Sequence, residues 1–261
     1  MRLLPSAGFT LRNAAPATVA MRLHSFPNLS LRNAALALAC AFASTLVTSH
    51  ALAEVQLDKI KLPPGFEITL LTDKVTNARA MTLGAKGTLF VGSMGANMVN
   101  AVSLDGNKVT QVRTIARGLD RPVGVAFRDG SLYVSSISRI IRYDEIESRL
   151  DDPLAGVVVK KDLPTEAHHG WKFIAFGPDG KLYVPVGAPC NICEPDPNRY
   201  ANIGRMNPDG SDYEIVATGV RNSVGFAWHP VTKELWFTDN GRDMMGDEIP
   251  SDELNNAPKK A

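Results

Sequence analysis

A pattern of apolar and turn residues occurs four times along the chain. Each copy has an apolar strand, a turn containing Gly or Asp, and a second apolar strand. The second strands align on a leucine at Leu89, Leu132, Leu182 and Leu235, so successive copies are 43, 50 and 53 residues apart. Short strands at such a period, joined by hairpin turns, are typical of the blades of a β-propeller.

The copies predict strands with definite positions. First strands are predicted at 80–83, 123–127, 173–176 and 224–228, and second strands at 87–91, 130–134, 180–184 and 233–237. Third strands are recognisable only in the first three copies, at 100–104, 140–143 and 203–206. Asp129-Gly130 and Asp179-Gly180 suit tight hairpin turns. No segment has helical periodicity over three turns, so the predicted fold class is all-β, a β-propeller with about four blades.

The last copy predicts an incomplete blade, because no clear third or fourth strand follows its second strand. An open propeller leaves strand edges and one side of its core bare. We therefore expect the chain to be truncated at its C-terminus.

The first 53 residues have the pattern of an export signal. They contain four arginines and no acidic residue, an apolar run from Ala34 to Val47, and the terminal small-x-small sequence Ala51-Leu52-Ala53. The run is shorter than a transmembrane helix requires. We expect a signal peptide at 1–53, with Met21 as an alternative start, and a periplasmic or secreted protein without stable membrane insertion.

Removal of the signal changes the charge of the chain. Lys and Arg total 28 and Asp and Glu total 27, so the loss of four arginines leaves the mature chain at about −3. A nucleic-acid partner is not expected at this charge. The remaining residues, 54–261, are enough for one domain with a sizeable core.

The three cysteines lie in two places. Cys40 falls within the signal, where a lipoprotein signal is the alternative, although Ala37 stands where such signals prefer leucine. For Cys190 and Cys193, a zinc site would need two further ligands, and covalent haem attachment would need histidine at Glu194. In an oxidising compartment we expect this pair to form a disulfide.

Three arginines and a histidine precede the predicted first strands: Arg79, Arg121, His169 and Arg221. The first strand of each propeller blade lines the central channel, so these residues should converge at its mouth. Guanidinium groups around one opening favour an anionic ligand. The alternative, above all for Arg121, is that the arginines cap carbonyls or pair with acids of a neighbouring blade.

Two further features add candidate chemistry at this mouth. His169 can serve as a general base near neutral pH, and the alternative is a histidine hydrogen-bonded within a blade. Asn222 stands beside Arg221, and together they could polarise a carbonyl or hold a carboxylate. The oxygen-rich segment 238–248 could supply calcium ligands, although it lacks the EF-hand spacing and a solvated turn is the alternative.

Taken in order, these motifs resemble those of the soluble quinoprotein sugar dehydrogenases of the glucose and sorbosone dehydrogenase type. The resemblance covers about 62–254 and includes His169, segment 176–183, Gly187, segment 219–225 and segment 239–248. The loop 189–196 looks most like the sorbosone branch. The resemblance implies a six-bladed propeller that binds pyrroloquinoline quinone (PQQ) and calcium. It also implies oxidation of an aldose or sorbosone-like sugar, with electrons passed to an external acceptor such as a cytochrome or a quinone.

The resemblance also implies roles for the channel residues. His169 would remove the proton from the sugar hydroxyl, while Arg221 and Asn222 would bind the quinone oxygens and stabilise the charge that develops there. Arg79 and Arg121 would add positive charge for the anionic cofactor.

The implied metal ligands lie in segment 238–248. Main-chain carbonyls of Gly241 and Arg242 would hold the calcium, and Glu248 matches an acidic position tied to a second, structural calcium. Two departures from the family pattern stand out. His168 occupies a position where glucose-oxidising members carry an acid, and the last two blades of the family have no counterpart in this sequence.

Two other functions stay open from the sequence. A propeller lactonase would hold a metal with carboxylates and Asn at the channel centre, and Arg79, Arg121 and Arg221 argue against it. The other alternative is a non-catalytic propeller used for binding, or an inactive propeller fragment.

Overall fold

Antiparallel sheets account for the architecture of residues 56–258, the part of the chain that the computed structural model describes. Fifteen strands in this part form four sheets, and in every sheet each strand pairs with its neighbour in the sequence. The sheets are arranged as four blades of a β-propeller, which confirms the predicted fold class. The signal peptide predicted for 1–53 lies outside the described residues.

The first blade consists of β1 (Ala78–Leu83), β2 (Leu89–Ser93), β3 (Met98–Asp105) and β4 (Lys108–Arg117). The second consists of β5 (Val125–Arg128), β6 (Ser131–Ser136), β7 (Arg139–Tyr143) and β8 (Val157–Lys160). The third consists of β9 (Ala175–Phe176), β10 (Leu182–Val186), β11 (Asn202–Met206) and β12 (Glu214–Thr218). The fourth consists of β13 (Phe226–Trp228), β14 (Leu235–Asp239) and β15 (Glu253–Ala257). Two short 3-10 helices span Leu57–Lys59 and Ile146–Ser148.

The sequence missed the outer strands of the blades. Strands β4, β8 and β12 have no counterpart in the prediction. The expectation that the last copy lacks a clear third strand is wrong, because β15 pairs with β14 over its full length, from Leu235 opposite Ala257 to Asp239 opposite Glu253. The sequence of β15 is largely polar, and its pairing uses backbone groups that almost any residue provides.

The hairpin between β5 and β6 has the turn that its sequence predicts. Asp129 and Gly130 both have positive φ, 48° and 80°, and Arg128 pairs with Ser131 across the turn. Positive φ at both central residues matches the right-handed twist of the flanking strands. Asp and Gly tolerate this conformation better than branched residues do.

The apolar core lies between consecutive blades, because alternate residues of a strand point to opposite faces of its sheet. In β6, Val134 packs with Phe90 of the first blade, whereas Tyr133 packs with Leu182 of the third. A third cluster joins the third and fourth blades in the same way. This packing fixes the blades relative to one another and so positions the loops at their ends.

The end sheets each present an exposed apolar face. Met81 and Leu83 of the first blade are about 60% exposed, and Leu254 of the fourth blade is 69% exposed. Among the described residues, no helix is both long enough and apolar enough to cross a membrane.

Candidate active site at the channel mouth

The residues that begin or precede the first strands of different blades meet at one end of the sheets. Arg79, in β1, places its guanidinium carbon 4.9 Å from the ring centroid of Trp171, which precedes β9. Arg121, which precedes β5, donates from Nη1 to the carbonyl oxygen of Ala167 at 2.8 Å. These contacts bring the first and second blades to the loop that carries His169. For Arg121 the contact is the carbonyl cap that the sequence left open as an alternative.

Ala188, which follows β10, connects His169 with Arg221. The Nδ1 atom of His169 lies 2.8 Å from the carbonyl oxygen of Ala188. The N–H of the same residue donates to the carbonyl oxygen of Arg221 at 2.8 Å. Because a carbonyl oxygen can only accept, we assign the imidazole proton to Nδ1, which leaves a lone pair on Nε2.

Gly187 provides the space in which His169 and Asn222 approach one another. A Cβ atom at Gly187 would lie 2.5 Å from the Cβ of His169 and 3.4 Å from Oδ1 of Asn222. His169 itself has φ of 47°, in the left-handed region that non-glycine residues seldom adopt. Such local backbone strain persists where surrounding contacts hold it, often at functional sites.

The environment of His169 keeps its imidazole neutral. Partial burial lowers the pKa of His169, and the adjacent His168 and nearby Arg221 lower it further. The hydrogen bond to Ala188 and the charge of Asp243 oppose this shift without reversing it. The His168 ring lies 4.1 Å from that of His169, between centroids. Near pH 7, His169 is therefore in the form that can accept a proton.

The Arg221 guanidinium is held by the backbone and side chain of two asparagines. Its Nε donates to the carbonyl oxygen of Asn191 at 3.2 Å and its Nη2 to Oδ1 of the same residue at 2.8 Å. Its Nη1 donates to the carbonyl oxygen of Asn240 at 2.9 Å. A guanidinium has five N–H donors, so two remain for a ligand.

Asp239, at the end of β14, organises the backbone around Arg221 and Asn222. This buried carboxylate accepts the backbone N–H of Arg221 at 2.8 Å and that of Asn222 at 2.6 Å. Burial raises the pKa of Asp239, and the two N–H donors counteract this effect. The sequence placed Asp239 only in an acidic segment, because the 18-residue separation from Arg221 hides their contact.

Lys172 is a buried cation that the sequence did not identify. Its Nζ donates to the carbonyl oxygens of Ile137, at 2.7 Å, and Gly170, at 2.5 Å. Burial lowers the pKa of Lys172 to about 8. Gly170 follows His169 directly, so Lys172 fastens the histidine loop to the second blade. A lysine within the apolar segment before β9 was the available signal.

The predicted calcium residues lie in the fourth blade. The N–H of Gly241 donates to Oδ1 of Asp252 at 2.8 Å. A Cβ atom at Gly241 would lie 2.8 Å and 3.0 Å from the carbonyl oxygens of Pro250 and Ser251. Arg242 and Glu248 are exposed. In residues 56–258, no three His, Cys, Asp or Glu side chains come together as a metal-binding group, so oxygen donors near Gly241 are mainly from the backbone.

The two mature cysteines are joined. A disulfide links Cys190 and Cys193 and closes a four-residue loop at the edge of the site. Asn191, which holds the Arg221 guanidinium, lies inside this loop. The sequence did not single out Asn191, because nothing in a lone asparagine indicates its partners.

The fold and the convergent loops define a β-propeller with a candidate active site at its channel mouth. Residues 60–258 match the TrAA12-like family, and the chain belongs to that family. An uncharacterized protein of Borreliella burgdorferi is 32% identical over 222 residues, which are 80% of this chain and 57% of the relative. The chain thus spans less than two thirds of this relative's length.

Solved structures share the fold at low sequence identity. The PQQ domain of pyranose dehydrogenase from Coprinopsis cinerea superposes with a TM-score of 0.62 at 17% identity, over 72% of this chain and 52% of that one. Aldose sugar dehydrogenase from Streptomyces coelicolor, in its PQQ-bound form, gives 0.55 at 22% identity, over 70% and 60% of the two chains. These similarities support the propeller fold.

Proposed function

We propose that this protein is a quinoprotein oxidoreductase that uses PQQ to oxidise an aldose or sorbosone-like sugar. The observation that carries the proposal is the arrangement around Ala188. Its carbonyl oxygen fixes the tautomer of His169, and its N–H binds the backbone of Arg221. A base with a free Nε2 and a guanidinium with two free N–H donors therefore lie on either side of one peptide group.

The donor set fits a flat, anionic quinone. Arg221 and Asn222 would bind the quinone oxygens, and Arg79 would add positive charge at the same mouth. Arg121 would act mainly through Ala167, because its Nη1 is already bound to that carbonyl. When bound, the quinone would supply an electrophilic carbonyl that accepts a hydride from the sugar.

His169 would act as the general base for the sugar hydroxyl. Its Nε2 would take the hydroxyl proton as the carbon that bears this hydroxyl loses its hydride and becomes a carbonyl. Both electrons leave with the hydride, so the sugar is oxidised by two electrons. Burial and the charge of Arg221 lower the pKa of His169 and keep Nε2 unprotonated for this step.

Calcium would bind near Gly241, next to the site. The proposed ligands are main-chain carbonyls of Gly241 and Arg242, and Glu248 would serve a second calcium. The close approach of Gly241 to the carbonyl oxygens of Pro250 and Ser251 supports an oxygen-rich environment of the kind that a hard cation prefers.

The proposed setting is the periplasm or the extracellular space. The sugar is the substrate, and electrons would pass on to an external acceptor, a cytochrome or a quinone. Nucleic acid and stable insertion into a membrane are not part of the proposal.

Reconstitution tests the proposed function. Purified protein is mixed with PQQ and calcium, and the quinone absorbance, the melting temperature and sugar-dependent reduction of a dye are measured. We expect a changed quinone spectrum, a higher melting temperature because the ligand binds only the folded state, and dye reduction with an aldose. Unchanged spectrum and melting would contradict the proposal. Lactone hydrolysis without quinone would instead indicate the lactonase alternative, and neither activity would indicate a non-catalytic propeller.

A further inference from the structure

Asn191 forms four hydrogen bonds that join the third and fourth blades at the site. Its carbonyl oxygen and Oδ1 accept from Nε and Nη2 of Arg221. Oδ1 also accepts the backbone N–H of Asp243 at 2.9 Å, and Nδ2 donates to the carbonyl oxygen of Asp243 at 2.8 Å. One carboxamide thus binds both the catalytic-site arginine and the backbone of the segment beyond Asn240.

The arginine needs such a support. An arginine side chain has many rotamers, and fixing it costs about 2 kcal/mol of conformational entropy. In Arg221, two of the three hydrogen bonds to protein acceptors go to Asn191, and the third goes to the carbonyl oxygen of Asn240. The direction of the two remaining N–H donors therefore depends on the position of Asn191.

The disulfide restricts the residue that provides this support. Cys190 and Cys193 flank Asn191 within a four-residue loop, so the backbone of Asn191 has little freedom. A loop this short contributes little to global stability through chain entropy. Its effect is local, because it limits where the carbonyl oxygen and the carboxamide of Asn191 can lie.

We propose that Asn191 is the positioning residue for Arg221, and that the Cys190–Cys193 disulfide holds Asn191 in place for this role. The consequence for a ligand rests on the proposed function: a displaced Arg221 would bind the quinone oxygens less well. The consequence for the arginine itself does not depend on any ligand.

The experiment measures the arginine and the ligand separately. The variants are Asn191→Ala, the double variant Cys190→Ser with Cys193→Ser, and Asn191→Asp, which keeps an acceptor for Nη2. Ile192→Ala is the matched control, since Ile192 lies in the same loop with its side chain 60% exposed. Variants replace chemical reduction because thiols and phosphines would also react with a quinone.

The first readout is the Nε–H signal of Arg221 in the NMR spectrum of protein without ligand, assigned by its loss in Arg221→Lys. We expect a signal protected from solvent exchange in the wild type, in Ile192→Ala and in Asn191→Asp. Protection should be lost in Asn191→Ala and reduced in the double cysteine variant. An equally protected signal in Asn191→Ala would overturn the proposal.

The second readout is the dissociation constant for PQQ in the presence of calcium, from the quinone absorbance. Loss of two hydrogen bonds to a charged group should weaken binding by about tenfold to a hundredfold in Asn191→Ala. Unchanged affinity in this variant, with protection lost, would overturn the link to the ligand. If wild-type protein binds no PQQ while protection follows Asn191, the proposed function fails and the positioning of Arg221 by Asn191 stands.

Discussion

The guanidinium of Arg79 lies over the indole ring of Trp171, 4.9 Å from its centroid, although the two residues belong to the first and third blades. A cation and an aromatic face attract one another at this distance. The contact spans two blade intervals of the sequence, and it forms because the loops before the inner strands converge. The candidate site depends on this convergence.

A double-mutant cycle tests the contact between Arg79 and Trp171. The changes are Arg79→Ala, Trp171→Ala and the two together, with the free energy of unfolding measured in denaturant. We expect a coupling energy of about 0.5–1 kcal/mol, as for an exposed cation–π pair. Pairing Trp171→Ala with Arg113→Ala is the control, since Arg113 binds Asp151 instead, and additive effects are expected there. Additivity for Arg79 and Trp171 would mean that the two blades do not meet here.

The replacement His169→Ala tests the proposed base. We expect PQQ binding to be retained and sugar-dependent turnover to fall by about 10²–10⁴-fold, the usual contribution of a general base. His168→Ala is the control, because His168 is exposed and changes His169 only through its charge. Turnover that survives His169→Ala would remove this residue from the mechanism.

The pH profile of kcat/KM follows from the same environment. Because the pKa of His169 is lowered from 6.5, the active neutral form persists as the pH falls to below this value. The acid limb should therefore have its midpoint below pH 6.5, and His168→Ala should move the midpoint upward. A midpoint above 6.5 in the wild type would contradict the assigned environment.

Gly187→Ala tests the close approach of His169 to the backbone. The new methyl group would overlap the Cβ of His169, so we expect turnover to fall by at least about tenfold, as for other misplaced catalytic groups. Gly225→Ala is a matched control at the same site, because a Cβ atom there has no neighbour within 4 Å. Neither glycine has positive φ, so backbone strain does not confuse the comparison. Equal activity of the two variants would argue against the observed packing.

Asp239→Ala tests the support beneath Arg221 and Asn222. Two backbone N–H groups would lose their acceptor in a buried place, which should lower the free energy of unfolding by about 2–4 kcal/mol. Asp252→Ala removes an exposed carboxylate that binds one N–H, that of Gly241, and should cost less than about 1 kcal/mol. Denaturant unfolding measures both, and equal losses would contradict the structural role of Asp239.

Lys172 predicts how stability changes at alkaline pH. Its pKa is about 8 in the folded protein and near 10.5 when exposed, so between these values the unfolded chain binds more protons. The free energy of unfolding should then rise with pH, by about 2 kcal/mol between pH 7 and 9.5 from this group. Lys172→Met should lack this rise, whereas Lys181→Met should keep it. Parallel pH curves for wild type and Lys172→Met would refute the assignment.

The inner strands were predictable from sequence because each combines apolar residues with a recognisable turn. Leu132 and Tyr133 follow Asp129-Gly130, and both the hairpin and the burial agree with the pattern. The outer strands β4, β12 and β15 are more polar and were missed, because a strand at the rim is held mainly by backbone pairing. In the site, His169 and Arg221 were found because they precede inner strands. Lys172 and Asn191 were not, because their partners are carbonyls and amides that carry no sequence signal.

By itself, the sequence determined the repeat, the all-β class and the positions from which charged residues enter the channel mouth. Periodicity and turn chemistry are local, and a single chain displays them directly. Only the tertiary structure decided which atoms meet: the Ala188 peptide between His169 and Arg221, the carboxylate of Asp239 beneath two backbone amides, and the disulfide loop that holds Asn191. These contacts depend on the angle between blades, which is set by side-chain packing across their interfaces.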